Sequence, residues 1–487
     1  MSDNNSFNSV FGSGGGGGGT IDSGSNVGSG NVEVFKQVVG SDLEFRTLVD
    51  TDSIALSYYE NDPAPLLNST IEANVILGNI GIRQSGGWYT FYNDLYEALN
   101  NAVSGDVIEF FDNVVDEKTR TLNLVDGVDV NLNGYKYTYD PTIPDNTSMF
   151  NNSGTTTNNF RNGTLQRKNA IAQTDFGECE VFSLYANDGE EININLNDCV
   201  LINTSRNVIS MLGIPTLMSM SGGTIYGGGL ILDGITSTYV SAFLSGNISN
   251  MNFIVEEVVI FEEGTATNVV IDCKSVIGQT GAIHSGSGNS FFNCNFTSYY
   301  ANNPQYSKFN NCTFLSSLDT TIIASACEFN NCTIQYIDTT ALGGLSYTMY
   351  ANSSTLNNCY ISAMIYSAVY CNGTTMKNCS VLTSADYYVI EDAGESKISN
   401  CTIQNINQDA TGNDGGVYLL NDGNGASIYS NNTTILSDNV AYAFAGNGAT
   451  PFYLLFSVIQ GTTNIDDGIV LNQQANLIDT LGIIIQG

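Results

Sequence analysis

The chain has 487 residues, which is enough for several domains or for one elongated repeat domain. Only 13% of the residues are charged, yet the formal net charge is −34. This acidity argues against binding to nucleic acid or to an anionic membrane surface, because both are bound by clustered Lys and Arg.

The cysteines and the first residues indicate where the protein is made. Eleven cysteines are present, an odd number, so full intramolecular pairing leaves at least one thiol free. The chain opens with MSDNNSFNSV, which lacks the charged and then apolar pattern of a secretion signal, and no apolar run is long enough to span a bilayer. We therefore expect a soluble protein from a reducing compartment, with its thiols mostly free.

Two N-terminal segments precede the rest of the chain. Residues 1–30 are of low complexity and include the run Gly14–Gly19, so we expect this segment to be flexible in isolation. Residues 31–85 predict a small β module, since the strands VEVFKQVV, LEFRTLV and SIALSYY are separated by short Gly/Asp turns. In the second of these strands, Leu43 and Phe45 share one face and Arg46 lies on the other.

The run SNVGSGNVEVFKQVVGSDLEFRTLV at 25–49 resembles a short segment of virion structural proteins. It is similar to a segment of tail-fibre and other surface-fibre proteins of bacteriophages and large DNA viruses. The resemblance rests on SNVGSG, VFKQ and DLEFRTL together and carries no information on chemistry. It implies that the module attaches the protein to the virion, although an ordinary β module is the alternative. The residues expected to make this attachment are Phe35, Lys36, Leu43, Phe45 and Arg46.

Residues 86–145 are predicted to form a capping helix and the opening strands of the next domain. In FYNDLYEALNNAVSGD, Leu95, Leu99 and Ala102 have helical spacing, Asp94 lies near the expected start, and Gly105 lies where a C-terminal cap belongs. A β-rich stretch follows, with turns predicted at the dipeptides DG and NG of LNLVDGVDVNLNGYKYTY. This order resembles the start of right-handed parallel β-helix domains, in which the helix covers the first coil.

Residues 146–450 repeat with a period near 20 residues. The repeat is anchored on Asn-Cys or Asp-Cys dipeptides, as in FNNCTF and FNNCTI, and lies between short apolar strands. It lacks the fixed leucine spacing of leucine-rich repeats and the GGxGxD run of calcium-binding repeats. The predicted fold is therefore an all-β, right-handed, single-stranded parallel β-helix of the pectate-lyase-like kind. Residues 451–487 are more apolar and are predicted to cap the last coil or to pack against identical subunits.

The cysteine ladder is interpreted as structural. The chain has one histidine, His284, which lies in a predicted Gly/Ser turn, and no CxxC pair, so we predict no metal and no cofactor. In-register residues of a parallel sheet keep their Cβ atoms about 4.8 Å apart, farther than a disulfide allows. We therefore predict that each cysteine fills the interior and that the preceding asparagine forms a turn or bonds to its equivalent in the next coil.

Carboxylates are the candidates for hydrolytic chemistry, because glycoside hydrolysis needs two carboxyl groups. The pairs and groups that supply such candidates are Glu256/Glu257, Glu262/Glu263, and Asp386 with Glu391, Asp392 and Glu395. The alternative is that all are solvated charges in turns, and we predict no catalytic residue. An Arg base on the later coils is excluded, since Arg206 is the last arginine of the chain.

Tyrosines are the candidates for ligand contact. They are frequent in the repeat region, and rings beside Asn and Asp suit stacking on sugars and hydrogen bonding to hydroxyls. The pairs Tyr299, Tyr300 and Tyr387, Tyr388 are the expected glycan contacts, with packing of the rings in the core as the alternative.

The leading functional hypothesis is a non-enzymatic virion protein, a tail fibre, head fibre or tailspike. It would attach to the particle by its N-terminus, lie on the virion surface after assembly in the host cytoplasm, and present a rigid β-helix to a host-surface glycan. Its expected partners are itself, as a homotrimer, other virion proteins and that glycan. The alternatives are a tailspike depolymerase that hydrolyses host polysaccharide, and a cell-surface adhesin, which would require a secretion signal.

Overall fold

The computed structural model describes most of the repeat region and single strands elsewhere, and it divides the chain into two compact units, Met1–Gly78 and Asn79–Gly487. The described residues are 23–26, 32–39, 42–48, 54–58, 71–75, 78–83, 89–143, 145, 147–168, 180–185, 190–203, 208–212, 216–227, 240–244, 246–255, 258–261, 264–273, 283–285, 288–298, 301–317, 320–337, 347–365, 367–384, 388–406, 417–419, 427–437, 444–446, 451–455, 458–460, 470–474, 477–480 and 483–486.

The first unit contains two small sheets. Strands Ser23–Asn26, Val32–Val39 and Asp42–Leu48 form a three-stranded sheet with Asp42–Leu48 in the centre. Ile54–Tyr58 pairs antiparallel with Ile71–Val75. Two attachment candidates, Phe35 and Phe45, are directly opposed in the antiparallel pair. The register shifts between Phe35 and Gln37, where a third candidate, Lys36, lies, while Leu43 and Arg46 lie on the central strand. The side chains of all five candidates lie outside the described residues.

The second unit is built of coils, and each coil contributes strands to three faces of parallel strands. We call these faces A, B and C in chain order within a coil. Face A consists of Val107–Phe110, Asp129–Asn131, Asn247–Ser249, Thr265–Thr267, Ser290–Phe292, Lys308–Asn310, Glu328–Asn330, Thr355–Asn357, Thr375–Lys377, Glu395–Ser399, Ser427–Asn431, Pro451–Leu455 and Val470–Gln474. Face B consists of Val114–Asp116, Lys136–Tyr139, Asn252–Val255, Val270–Cys273, Asn295–Ser298, Thr313–Ser316, Thr333–Tyr336, Tyr360–Ala363, Ser380–Thr383, Thr402–Asn405, Thr434–Ser437, Val458–Gln460 and Leu477–Thr480. Three long strands bend from face A into face B, and they are Thr156–Arg167, Ile192–Asn203 and Thr216–Gly227.

Face C closes each coil and falls into two sheets. The first contains Leu122–Asn123, Phe150–Ser153, Phe182–Tyr185, Ile209–Leu212, Val240–Leu244, Val258–Phe261, Ile283–Ser285 and Asn303–Pro304. The second contains Ile322–Ser325, Tyr347–Asn352, Ser367–Asn372, Ile390–Asp392, Val417–Leu419 and Phe444–Gly446. Single parallel bridges, Asn302 to Ile322 and Gln305 to Ser325, join the two. The predicted parallel β-helix is confirmed, and its parallel strands continue to Leu477–Thr480, which pairs antiparallel with Ile483–Gln486.

A short helix lies before the first coil, as predicted. It spans Leu95–Asn101, and its N-cap, Asp94, accepts a hydrogen bond from the Glu97 N–H at 2.8 Å. It ends at Ala102, whose N–H donates to the Ala98 carbonyl at 2.9 Å. The prediction that Gly105 caps the helix is wrong, because Gly105 lies in the following turn with φ of 93°. No helix in the described part of the chain is long and apolar enough to cross a membrane.

Charged side chains fasten this helix to the first coils. Arg120 Nη2 lies 3.0 Å from Asp94 Oδ2 and 2.7 Å from Asp116 Oδ2. The buried Tyr137 hydroxyl donates to the same Asp116 oxygen at 3.0 Å. Burial and the charge of Asp116 raise the pKa of Tyr137, so its hydroxyl stays protonated and donates. The helix start is therefore tied electrostatically to the strands it covers. An antiparallel pair, Ile80–Arg83 with Tyr89–Tyr92, extends face A at the same end.

The interior is filled by columns of similar side chains. Phe309 stacks between Phe291 and Phe329 at centroid distances of 4.8 and 4.9 Å, with ring planes within 10° of parallel. Phe296 and Phe314 form a second stack at 4.6 Å on the adjoining face. Such columns arise because parallel in-register pairing places the same strand position of successive coils directly above one another.

The corner between faces A and B explains the Asn-Cys repeat. In the nine described coils from Asn250 onward, one asparagine per coil takes a left-handed φ there, between 48° and 55°, and these are Asn250, Asn268, Asn293, Asn311, Asn331, Asn358, Asn378, Asn400 and Asn432. Asparagine tolerates this conformation better than other residues with a side chain. Its amide also bonds to its equivalent in the previous coil, as from Asn400 to Asn378 at 3.2 Å and from Asn378 to Asn358 at 3.0 Å. Both predicted roles of the asparagine are therefore present.

Six of these nine asparagines are followed by a cysteine that points inward, and the other three are followed by Met251, Val269 or Thr433, which are also buried. Nine cysteines are described, and all are buried and free of disulfides: Cys199, Cys294, Cys312, Cys327, Cys332, Cys359, Cys371, Cys379 and Cys401. In Cys332, Sγ contacts the Asn330 carbonyl at 3.4 Å and, one coil earlier, the Phe309 carbonyl at 3.5 Å. Burial raises the pKa of the Cys327 thiol to about 11, so it stays protonated. The Cys179 and Cys273 side chains lie outside the described residues.

We expect the substitution Asn378→Ala to lower the free energy of unfolding by about 1–2 kcal/mol, because alanine disfavours a left-handed φ and cannot bond to Asn358 and Asn400. Asn378→Gly keeps the conformation and loses only the ladder bonds, so its loss should be smaller. Urea unfolding of both variants measures the difference. Equal losses would show that the left-handed φ of Asn378 is not what makes asparagine favourable at this corner.

Candidate functional site

An outward-facing column of large side chains runs across three neighbouring strands of face C. Tyr350 of Tyr347–Asn352 lies in register with Tyr370, which lies in register with Glu391 on the next strand. Their neighbours along each strand point inward, as side chains alternate between the two sides of a sheet. Those core neighbours, buried completely, are Met349, Ala351, Val369, Cys371, Ile390 and Asp392. The column is therefore held on the outside by the packing beneath it.

Three tyrosine rings in this region contact one another. Tyr350 and Tyr370 are stacked, with centroids 4.2 Å apart and ring planes 14° from parallel. Tyr347 meets Tyr370 edge-on at 5.2 Å and Tyr350 at 6.2 Å. Each ring remains partly exposed. Mutual packing restricts the rotamers of all three, so they form a preorganised aromatic surface, which we call the tyrosine platform.

Glu391 is fixed beside this platform by two hydroxyl groups. Its Oε2 accepts a hydrogen bond from the Tyr347 hydroxyl at 3.0 Å, and its Oε1 accepts one from Ser367 Oγ at 2.8 Å. Burial and the charge of Glu391 raise the pKa of Tyr347, so its hydroxyl remains a donor throughout the physiological pH range. Carboxylate oxygens have about four lone-pair sites in all, so Glu391 retains the capacity to accept from a ligand.

This arrangement suits a ligand that has both apolar faces and hydroxyl groups. Tyrosine rings offer large contact areas at little entropic cost, since they have few rotatable bonds. The fixed carboxylate accepts hydrogen bonds from hydroxyl or amino donors. A saccharide combines these properties, and a neutral or amino-bearing one avoids repulsion from a chain of net charge −34.

Most of the predicted site residues lie outside the described residues, namely Glu256, Glu262, Asp386, Tyr299, Tyr300 and Tyr387. Glu391 is described and lies beside the platform, and Tyr388 is half-buried just before the same strand. The neighbour of Glu391, Asp392, points to the opposite side of the strand into the core. These two carboxyl groups therefore do not flank one substrate bond.

The sequence did not single out the platform, although it contained a signal for it. The sequence predicted glycan contacts at pairs of adjacent tyrosines. The structure instead groups Tyr347, Tyr350 and Tyr370 with Ser367 across strands. The signal was the repeated triplet YAN at 350–352 and YCN at 370–372, which gives the strand-to-strand register. His284 also differs from its prediction, because it lies in strand Ile283–Ser285 of face C rather than in a turn. Among the described residues, no three His, Cys, Asp or Glu side chains are placed to hold a metal ion.

Neither a protein-family model nor a curated protein matches the sequence. Among solved structures, the A-module of a mannuronan C-5 epimerase of Azotobacter vinelandii is 12% identical with a TM-score of 0.31, over 72% of this chain and 89% of the other. Tailspike protein 3 of bacteriophage CBA120 is 10% identical with a TM-score of 0.34, over 88% of this chain and 66% of the other.

A third similar structure is the tailspike protein gp49 of Acinetobacter baumannii bacteriophage Fri1, a capsular polysaccharide depolymerase. It is 14% identical with a TM-score of 0.26, over 73% of this chain and 58% of the other. Phage tailspikes are thus among the similar structures. At these TM-scores no function is inferred from the likeness.

Proposed function

We propose that this chain is a virion structural protein, a fibre or tailspike, whose β-helix displays the tyrosine platform to a glycan of the host surface. The observation that carries the proposal is the platform itself. Three partly exposed rings and an oriented carboxylate lie together on the outer side of a regular sheet. Binding by such a surface needs no catalytic pair, and the parallel stack beneath it provides a rigid support.

Attachment to the particle is the second part of the proposal. The segment 25–49 supports it, because its strands carry the run that resembles virion fibre proteins. The first unit would then serve as the anchor and the second as the displayed rod. The residues proposed for attachment remain Phe35, Lys36, Leu43, Phe45 and Arg46.

A hydrolase that cuts host polysaccharide is the alternative, and the position of Glu391 beside the aromatic rings favours it. Hydrolysis would require a second carboxyl group at about 5–9.5 Å from Glu391 across the bound sugar. Release of reducing ends from a bound polysaccharide, abolished in Glu391→Gln while binding persists, would establish the enzyme and overturn the non-enzymatic proposal.

We expect the substitution Tyr370→Ala to weaken glycan binding by at least about tenfold, because it removes the ring that contacts both other tyrosines. Binding is measured on an array of neutral and amino-sugar oligosaccharides, with hits titrated by calorimetry. Tyr226→Ala is the matched control, since Tyr226 is an exposed tyrosine far along the same rod. Equal affinity of wild type and Tyr370→Ala for every bound glycan would contradict the proposed site.

A further inference from the structure

Face B carries no charged residue over seven successive coils. Its strands there read NFTS, TFLS, TIQY, YISA, SVLT, TIQN and TILS, and they span 295–298, 313–316, 333–336, 360–363, 380–383, 402–405 and 434–437. The corner before each strand is also uncharged, since it consists of the asparagine ladder and the buried cysteine or threonine. We call this surface the neutral face.

The other faces of the same coils are different. Face A carries Lys308, Glu328, Lys377, Glu395 and Lys397 on its strands. Face C carries Glu391, and the chain as a whole has a net charge of −34. Within these coils, charged residues are therefore absent from the strands of face B and present on those of faces A and C.

The outward residues of the neutral face are uncharged, and several of them repeat from coil to coil. The first outward position holds Thr313, Thr333, Thr402 and Thr434 in four of the seven strands. An apolar ridge borders the face just after its strands, where Ile337, Met364 and Ile406 are 49%, 45% and 38% exposed. Covering uncharged side chains with another surface costs less hydration free energy than covering charged ones.

The size of the neutral face suits a stable contact. Seven strands at about 4.8 Å make a height of about 34 Å, and the width from the asparagine corner to the ridge is roughly 20 Å. The resulting area, on the order of 700 Å², is close to the roughly 800 Å² that each partner buries in a standard interface.

The charge distribution indicates which molecule binds to the neutral face. A basic partner would be bound by carboxylates and an anionic one by Lys or Arg, and the described neutral face offers neither. Two copies of a chain of net charge −34 repel each other wherever their charged faces meet. Among the described faces of these coils, the neutral face is the one through which they approach without that cost, with faces A and C left in solvent.

We propose that the neutral face and its ridge form the surface through which copies of this chain associate. The contact places uncharged threonine, leucine and glutamine side chains of one copy against those of another and covers the ridge. It leaves the tyrosine platform of face C open, so association and glycan binding are compatible. The surface accommodates either two copies or the three that the sequence resemblance implies.

The test is sedimentation velocity of the full-length chain at micromolar concentration. Wild type is expected to sediment as an oligomer, and S380E/T434E is expected to dissociate at least about tenfold more readily, because it buries like charges at the contact. T375E/S399E is the matched control, since it adds the same charge to face A, where Lys397 and Lys377 are the register neighbours. The control should sediment like wild type.

Both double variants are checked for wild-type circular dichroism. Should S380E/T434E fail to fold, a photo-crosslinking residue at Thr402 gives the second readout: it should link two copies, whereas one at Thr375 should not. A monomeric wild type, equal dissociation of the two double variants, or crosslinking of copies from Thr375 alone would each overturn the proposal.

Discussion

Replacing Phe309 with alanine is expected to lower the free energy of unfolding of the β-helix by about 3–5 kcal/mol. The ring is completely buried and stacks on Phe291 below and Phe329 above. It also meets Phe314 edge-on at 5.2 Å. Backbone hydrogen bonds to the strands of the preceding and following coils hold the coils at a fixed spacing, so the cavity cannot close by collapse. The effect should therefore lie at the high end for core truncations.

Urea unfolding followed by circular dichroism measures this loss. Phe292→Ala is the control, because Phe292 lies next to Phe291 on the same strand but is 38% exposed. Its loss should be below about 1 kcal/mol. A loss for Phe309→Ala no larger than that of Phe292→Ala would contradict the stacked core.

The second large expected effect concerns Asp392, a carboxyl group in the interior of the solenoid. The residue is fully buried, its Oδ1 accepts a hydrogen bond from Ser396 Oγ at 2.5 Å, and its Oδ2 has no hydrogen-bond partner among the described residues. In register one coil earlier lies the buried Cys371. Burial raises the pKa of Asp392 to about 7, against partial stabilisation of the charge by Ser396 and the Gly394 N–H.

A pKa raised by folding means that the protonated form is favoured in the native state. The contribution of the protonated Asp392 carboxyl group to the free energy of unfolding is fully present below its unfolded pKa of about 4. It is lost progressively as the pH rises to about 7, because the carboxylate that forms is disfavoured in the interior. A difference of about three pKa units corresponds to about 4 kcal/mol. We therefore expect D392N to gain about that much stability relative to wild type between pH 4 and pH 8.

Thermal or urea unfolding at pH 4, 6 and 8 measures this difference. Glu395→Gln provides the control, because it removes an exposed carboxylate three residues away and so reports the effect of net charge alone. Its stability relative to wild type should change little with pH. A D392N difference that is constant from pH 4 to pH 8 would show that folding does not raise the pKa of Asp392.

The elements that the sequence predicted well are those in which one residue type has one structural role. Asparagine before cysteine marks a left-handed corner and a buried filler, so FNNCTF at 309–314 defined the period, the fold and the inward direction of Cys312. The helix start at Asp94 was predictable for the same reason, since its side chain caps the backbone. Only the helix end was misplaced, because Ala102 ends it by backbone bonding without a glycine.

The candidate site was harder to predict because it depends on register between coils of unequal length. Tyr350, Tyr370 and Glu391 are separated by 20 and 21 residues, yet Ile323 precedes Tyr350 in the same register by 27. Periodicity alone does not align such a column. Adjacent tyrosines attract notice in a sequence, but consecutive strand residues point to opposite sides of the sheet, as Glu391 and Asp392 show.

The unequal coils share one constant feature. From Lys308–Asn310 onward to Ser427–Asn431, two residues separate each strand of face A from the next strand of face B. Between faces B and C the separation varies, from three residues after Ala363 to eleven after Asn405. Insertions between faces B and C leave the register intact. One extra residue at the asparagine corner would instead move every side chain of the following strand to the opposite side of the sheet. Beyond the ridge, the segment that leads from face B to face C is therefore the place where a foreign peptide can be inserted for display without a change of register.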